Sequence, residues 1–250
     1  MISAQTRSKT EILGIGIDNV DREQAANILM GYIKAGRASE ARIILTPNPE
    51  MIMLARGDSE YRRIMSAAAL NIPDGVGIVL ASKIINGEIK ENVPGVDLLY
   101  NMMSDMAATG HGIYLLGAAP GIAEQAGQNL RRRIPGLNIV GTHDGYFDEE
   151  EDKLICEELI RLKPDLALIG ISMGKAERWA YSHRHLPVNM IACCGGSLDV
   201  WAGRVKRAPL GFRKLGLEWL YRLLSQPKRI LRMAVLPKFV LLALLSGRGK

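Results

Sequence analysis

The residue most suggestive of chemistry in this 250-residue chain is a carboxylate at a corner. Asp74 sits in Pro73-Asp74-Gly75, between a short apolar run and a helical pattern. Pro73 presets φ, Asp74 can accept a hydrogen bond from the backbone two residues on, and Gly75 takes a φ that other residues avoid. Asp74 is also placed to cap the helix that follows. The corner alone leaves a turn, a cap and a reactive acid all open. Other polar clusters have plainer readings. His183 and His185 flank Arg184 near an expected helix end and lack a third ligand in sequence. No C-x-x-C or H-x-x-x-H spacing appears, so zinc is not expected; no cofactor is expected either, and a metal requirement is not legible in the sequence. "DEEED" at 148–152 reads as an acidic first helical turn and "RRR" at 131–133 as a basic last one, both matching the helix dipole. Met51, Met53, Met102, Met103 and Met106 read as core filling, and His111 as a loop residue before a strand.

The elements that must position these residues alternate. Apolar runs of strand length fall at 12–17, 42–45, 70–72, 112–116, 137–140, 166–169 and 188–192, and helical patterns at 22–35, 59–68, 75–85, 96–109, 121–133, 148–162 and 176–184. Such alternation predicts an α/β fold, a Rossmann-like, mostly parallel sheet with helices on both faces. Ligands of these sheets sit beyond the carboxyl ends of the strands. The loops at 46–49, 73–75, 117–121, 142–146, 170–175 and 195–197 are therefore expected to open on one rim. Their glycines and polar residues suit a ligand with phosphates, because bare backbone N–H groups and helix N-termini favour anions. None is a Walker loop or a G-x-G-x-x-G fingerprint, and Gly14-Ile15-Gly16 lies inside an expected strand.

Composition narrows the class. At 48% hydrophobic the chain can bury a large core, and disorder is not expected. Three cysteines, two of them adjacent, suggest no disulfide framework and a reducing compartment. The first residues lack the apolar run of a signal peptide, and no apolar stretch reaches membrane-spanning length, so a cytoplasmic protein is expected. The net charge of +6 is unevenly placed. Residues 201–250 hold 12 of the 32 basic residues and one of the 26 acids, Glu218, so they carry +11 while residues 1–200 carry −5. The strand pattern also stops there, which predicts a catalytic sheet domain at 1–200 and a helical appendage at 201–250, with helices at 215–224, 227–236 and 237–245. A basic appendage rich in Trp, Leu, Met and Phe suits an anionic membrane surface, and it carries too few stacking aromatics for nucleic acid, which is not an expected partner.

Several ordered motifs resemble one family. "TPNPEMIMLA", "IPDGVGIVLASK", "VPGVDLL", "YLLGAAPGIAEQA", "VGTHDGYF", "GGSLDVWAGRVKRAP" and "GLEWLYRLLSQPKRILRM" resemble the WecG/TagA/CpsF glycosyltransferases, glycosyltransferase family 26, over nearly the whole chain. The likeness is greatest to the branch of N-acetylmannosaminyltransferases of wall teichoic acid synthesis. It implies a peripheral enzyme on the inner face of the plasma membrane. The implied reaction moves N-acetylmannosamine from a UDP-sugar donor to O4 of N-acetylglucosamine on undecaprenyl diphosphate, with inversion. The resemblance places the catalytic base at Asp74, a polar pair beside the sugars at Thr46 and Asn48, a position near the nucleotide at Asp199, and diphosphate contacts at Arg222, Arg229 and Arg232. Gly117 and Asn92 occupy further substrate-binding positions.

Two departures qualify that implication. The family usually has arginine where this chain has Asn92, and P-K-Q-E where it has Gly174-Lys175-Ala176-Glu177. Losing the arginine removes a fixed charge and a forked donor, and losing the glutamine removes an orienting amide. An alternative expectation is therefore a degenerate homologue that binds nucleotide sugar or lipid carrier without turnover. Oligomeric state is not legible in the sequence.

Overall fold

The computed structural model describes residues 7–214, 216–225 and 235–247. Six parallel strands form the central sheet: β3 (Arg42–Leu45), β4 (Leu70–Asn71), β5 (Ile113–Gly117), β6 (Ile139–His143), β7 (Leu166–Gly170) and β8 (Met190–Cys193). Their spatial order is β4-β3-β8-β7-β5-β6, with every pairing parallel. The expected class, a parallel α/β sheet covered on both faces, is therefore what the chain adopts.

Both sheet faces are buried, which explains why the strands read as continuous apolar runs. On one face lie α2 (Pro49–Gly57), α3 (Ser59–Ala67), α4 (Val76–Ile84), α7 (Glu149–Leu162) and α8 (Lys175–Ser182), meeting alternate residues such as Tyr114 and Leu116 of β5. On the other lie α1 (Arg22–Ala35), α5 (Gly95–Ala107), α6 (Ile122–Arg133) and α9 (Ser197–Trp201), meeting Ile113 and Leu115. Helix α1 illustrates the local logic. Asp21 and Gln24 form a reciprocal capping box, and Ala25, Leu29 and Ile33 recur at helical spacing on the buried side.

One expected strand is two. Residues 12–17 turn back at Leu13 and Gly14, so that β1 (Lys9–Ile12) pairs antiparallel with β2 (Ile15–Asp18). Both turn residues have positive φ, 51° and 86°, which suits a tight hairpin. Asp18 closes the hairpin onto the sheet. It is fully buried, accepts from the Asn71 amide at 2.8 Å and pairs with Arg7 at 3.1 Å.

After Trp201 come α10 (Leu210–Lys214), absent from the sequence reading, and α11 (Glu218–Ser225), which answers the helix expected over 215–224 from residue 218 on; Gly216 at φ +71° lies between them. A last helix, α12, spans Val235–Gly247. It packs against α2 and α4 and sends Phe239 and Ala243 into the core. The expected helix over 227–236 lies outside the described residues except for its last two, which belong to α12.

Candidate functional site

A topological switch point of the sheet lies beside the Asp74 corner. Neighbouring strands β3 and β8 send their connections to opposite faces, β3 into α2 and β8 into α9, so the loops diverge beyond the strand ends. Thr46 and Asn48 stand on the β3 side of that divergence, with Asp74 at the end of the adjoining β4, and Asp199 stands on the β8 side.

Three segments are laced together around Asp74. The Ile72 amide donates to the Leu45 carbonyl at 2.9 Å, the Asp74 amide to the Pro47 carbonyl at 3.0 Å, and the Val93 amide to the Pro73 carbonyl at 2.8 Å. The Asn92 side chain completes the lacing, its Oδ1 accepting from the Gly75 amide at 2.5 Å. Gly75 has φ +93°, the conformation expected of it, and it precedes α4 without supplying a side-chain cap. Asp74 is thus not the helix cap, and its carboxyl is half-buried at the corner.

Close approach explains two nearby glycines. A Cβ on Gly95 would lie 2.8 Å from Cγ2 of Thr46, and one on Gly77 would lie 2.7 Å from Cγ of Pro49. Thr46 is half-buried against the first turn of α5. Asn48 caps α2, its side chain accepting from the Met51 amide at 3.0 Å, with Pro49 in the first turn. That helix is absent from the sequence reading, although an Asn-Pro start is a recognisable signal for one.

Further along the rim, Gly117 ends β5 at φ +141°, and a Cβ there would lie 2.4 Å from the Gly170 backbone. The Ala118 amide donates to the Gly170 carbonyl at 3.0 Å and the Gly145 amide to the Ala118 carbonyl at 2.8 Å, so the ends of β5, β6 and β7 close on one another. Helices α4, α5, α6 and α9 begin after Gly75, Pro94, Gly121 and Gly196, none of which caps through a side chain. By contrast Asp21, Asn48, Asp58 and Asp148 cap α1, α2, α3 and α7. On the rim, then, α2 and α7 are capped by side chains while α4, α5, α6 and α9 are not, and helix starts without a side-chain cap favour an anion. Asp199 lies half-buried in the first turn of α9.

A second group joins the appendage to the sheet. Arg207 pairs with Asp97 of α5 and, at 3.3 Å, with Glu218 of α11, while Arg213 reaches Asp97 at 3.8 Å. Hydrogen bonding to Asp97 and the neighbouring carboxylates raise the Arg207 pKa although burial opposes the charge. Beside this group opens a cleft of 490 Å³ lined by Asp97, Tyr100, Arg133, Trp201, Lys206 and Arg207, among others. Asp74 and Asn48 are not in its wall. It begins one residue beyond Gly95, which touches Thr46, so cleft and corner share the N-terminal turn of α5. The Nε atoms of Arg207 and Arg213 are buried without a hydrogen-bond partner among the described residues. Sequence reading missed this network, although Asp97 and Arg207 lie inside the quoted "VPGVDLL" and "KRAP" motifs and carry opposite charges.

The remaining expected residues are spread out or not described. Ala176 lies in the first turn of α8, on its buried side. Gly174, before α8, has φ +86°, which proline cannot adopt. Arg222 lies on α11, and Arg229 and Arg232 lie outside the described residues.

The sequence profile of the "Glycosyl transferase WecG/TagA/CpsF family" matches residues 10–250. The chain belongs to the WecG/TagA/CpsF glycosyltransferase family. Among curated WecG/TagA/CpsF relatives, the N-acetylglucosaminyldiphosphoundecaprenol N-acetyl-beta-D-mannosaminyltransferases of Staphylococcus aureus strains MW2 and NCTC 8325 are each 32% identical over 234 residues, covering 93% of this chain and 91% of the relative. As a WecG/TagA/CpsF member the protein is a glycosyltransferase, and the matched span includes the appendage as well as the sheet. Among the described residues no helix is long and apolar enough to cross a membrane.

Proposed function

We propose that this glycosyltransferase transfers N-acetylmannosamine from its UDP donor to the 4-hydroxyl of N-acetylglucosamine on undecaprenyl diphosphate, inverting the anomeric centre. The observation that carries the reading is the Asp74 corner, a half-buried carboxylate pinned by Pro47 and Asn92 where the loops of β3, β4 and β8 diverge. The activity named for the two staphylococcal relatives supplies the substrates.

Asp74 acts as general base. As the acceptor oxygen attacks the anomeric carbon and the bond to the UDP oxygen breaks, the carboxylate takes the hydroxyl proton. UDP leaves with the bonding electron pair, and its growing negative charge is met by backbone amides and cations. The uncapped starts of α4, α5, α6 and α9 support that part of the reading, with Gly117 allowing the backbone to close beside one of them. Thr46, Asn48 and Asp199 flank the donor, Asn92 holds the corner, and Arg222, Arg229 and Arg232 of the appendage meet the diphosphate. The sheet at 1–200 holds the donor while the appendage at 201–250 covers the acceptor and docks on anionic lipid, which puts the enzyme at the cytoplasmic membrane surface.

UDP release from purified lipid-linked acceptor, measured with a panel of UDP-sugars, tests this directly. The N-acetylmannosamine donor is expected to turn over fastest. A different preferred donor overturns the substrate assignment. Ala176 and Gly174, which replace the family's glutamine and proline, favour a second reading in which the chain binds these ligands without transferring sugar. Saturable UDP binding with no release from any donor selects that reading.

A further inference from the structure

Away from the rim, and sharing no residue with it, the fold assembles a cluster that sequence spacing hides. Asp152 and Cys156 lie one turn apart on α7, and His183 follows the end of α8. One ligand atom from each of the three lies within 4.8 Å of the others, and Nε2 of His183 stands 3.2 Å from Oδ2 of Asp152.

Trp179 fixes two of the three side chains. Its indole N–H donates to Oδ1 of Asp152 at 2.7 Å, which turns Oδ2 toward the histidine. Its backbone carbonyl lies 2.9 Å from Nδ1 of His183, and its ring stacks on the imidazole with centroids 4.4 Å apart. A carbonyl only accepts, so Nδ1 must carry the proton of that bond. A neutral His183 would then aim the bare lone pair of Nε2 at a carboxylate oxygen. Two lone pairs at 3.2 Å call for a positive charge on or between them. A histidine whose Nδ1–H is held by a backbone carbonyl, which leaves Nε2 as the ligand atom, is the usual outer-shell arrangement of a metal-binding imidazole.

We propose that Asp152, Cys156 and His183 form a zinc-ion site joining α7 to α8. The nearby sulfur selects a borderline-soft cation over a hard one, and one nitrogen, one oxygen and one thiolate are common zinc ligands. Tetrahedral bonds of roughly 2.0 to 2.3 Å place ligand atoms about 3.3 to 3.8 Å apart, near the 3.2 Å between His183 and Asp152 and within small side-chain adjustments of the 4.8 Å that bounds the other separations. Carboxylate and thiolate together balance the charge of the ion. The histidine and aspartate side chains are 17% and 28% exposed, so an ion can enter and a water can take the fourth position. Reading His183 with His185 as sequence neighbours could not show this, because the missing ligands come from the preceding helix.

The test is cobalt(II) and zinc(II) titration of the full-length protein after chelator treatment. Expected are uptake of one ion per chain, a thiolate-to-cobalt charge-transfer band, and a rise in thermal midpoint with zinc concentration. Cys156→Ser should abolish the band, and His183→Gln should weaken uptake at least about tenfold, in line with the loss of a metal-site partner. Both variants should melt like the metal-free parent. Absence of saturable uptake overturns the site and leaves an imidazolium–carboxylate pair. A charge-transfer band that survives in Cys156→Ser also overturns it, because the thiolate would then be that of Cys193 or Cys194.

Discussion

Asn92 and Asp74 serve one corner in different ways. In the proposed mechanism the aspartate offers a carboxylate to the acceptor, while the asparagine accepts from the Gly75 amide and so holds the adjacent peptide. Replacing Asp74 with asparagine keeps the shape and the amide bond to Pro47 but removes the base. Asp74→Asn should therefore bind UDP like the parent in calorimetry while turnover falls by about 10² or more. Parental turnover in that variant would remove Asp74 from the mechanism. Asn92→Ala leaves the Gly75 amide without its acceptor, a loss of about 1 to 3 kcal/mol of local restraint. The expected result is a kcat roughly ten- to a hundredfold lower with the donor KM little changed, since the corner loosens without touching the nucleotide. A raised KM at parental kcat would instead make Asn92 a donor contact. An arginine in this place would bring a charge, whereas asparagine brings an acceptor, so the two side chains are not equivalent holders of the loop.

At the scale of elements, the rim depends on strand ends that approach more closely than side chains permit. Gly117→Ala would drive a Cβ into the Gly170 backbone at a φ of +141°. A loss of about 2 to 5 kcal/mol is expected, read as a lower urea midpoint. Phe239→Ala tests the packing of α12, where a fully buried ring meets the face carrying α2 and α4. About 3 to 5 kcal/mol of destabilisation is expected, and an unchanged midpoint would mean that α12 is not part of the cooperative unit. Much of this framework was legible in advance. The helical patterns at 22–35 and 148–162 announce α1 and α7, although Asp148 proves to be the cap and not the first helical residue, and the apolar runs of β5, β7 and β8 announce buried parallel strands. Residues 12–17 misled because Gly14 sits within an apolar run, and a two-residue turn with positive φ looks like strand until its partner is known. Helix α2 was hidden because "MIML" has no polar interruption from which a period could be read. At the site, the Pro-Asp-Gly corner and its neighbours were legible as motifs. The Asp97–Arg207–Glu218 network was not, because its members are distant in sequence and only the docking of α10 and α11 brings them together.

For the whole molecule, the proposed function raises the question of how a fold whose sheet is buried on both faces reaches a lipid-bound acceptor. Helix α4, which follows Asp74, leaves Leu80 exposed, and its partner α12 leaves Leu241, Leu244 and Leu245 exposed, with Trp219 and Leu224 exposed on α11. Lys83 and Lys238 stand on the same two packed helices, α4 and α12, and are also exposed. The proposed docking on anionic lipid would draw on these two packed helices, at about 1 kcal/mol for each cation near the surface. Binding to vesicles containing anionic lipid should weaken as salt rises and fall when Leu241, Leu244 and Leu245 are replaced by glutamine. Salt-insensitive binding, or parental binding by the triple variant, would argue against this face. Deleting residues 201–250 is a poorer test, because it also removes Phe239 and Ala243 from the core. That same packing has a consequence for biosynthesis. Residues 235–247 must leave the ribosome before the layer over α2 and α4 can close, so a nascent chain halted short of Phe239 would present greasy, unfinished surface to chaperones beside a fully translated sheet.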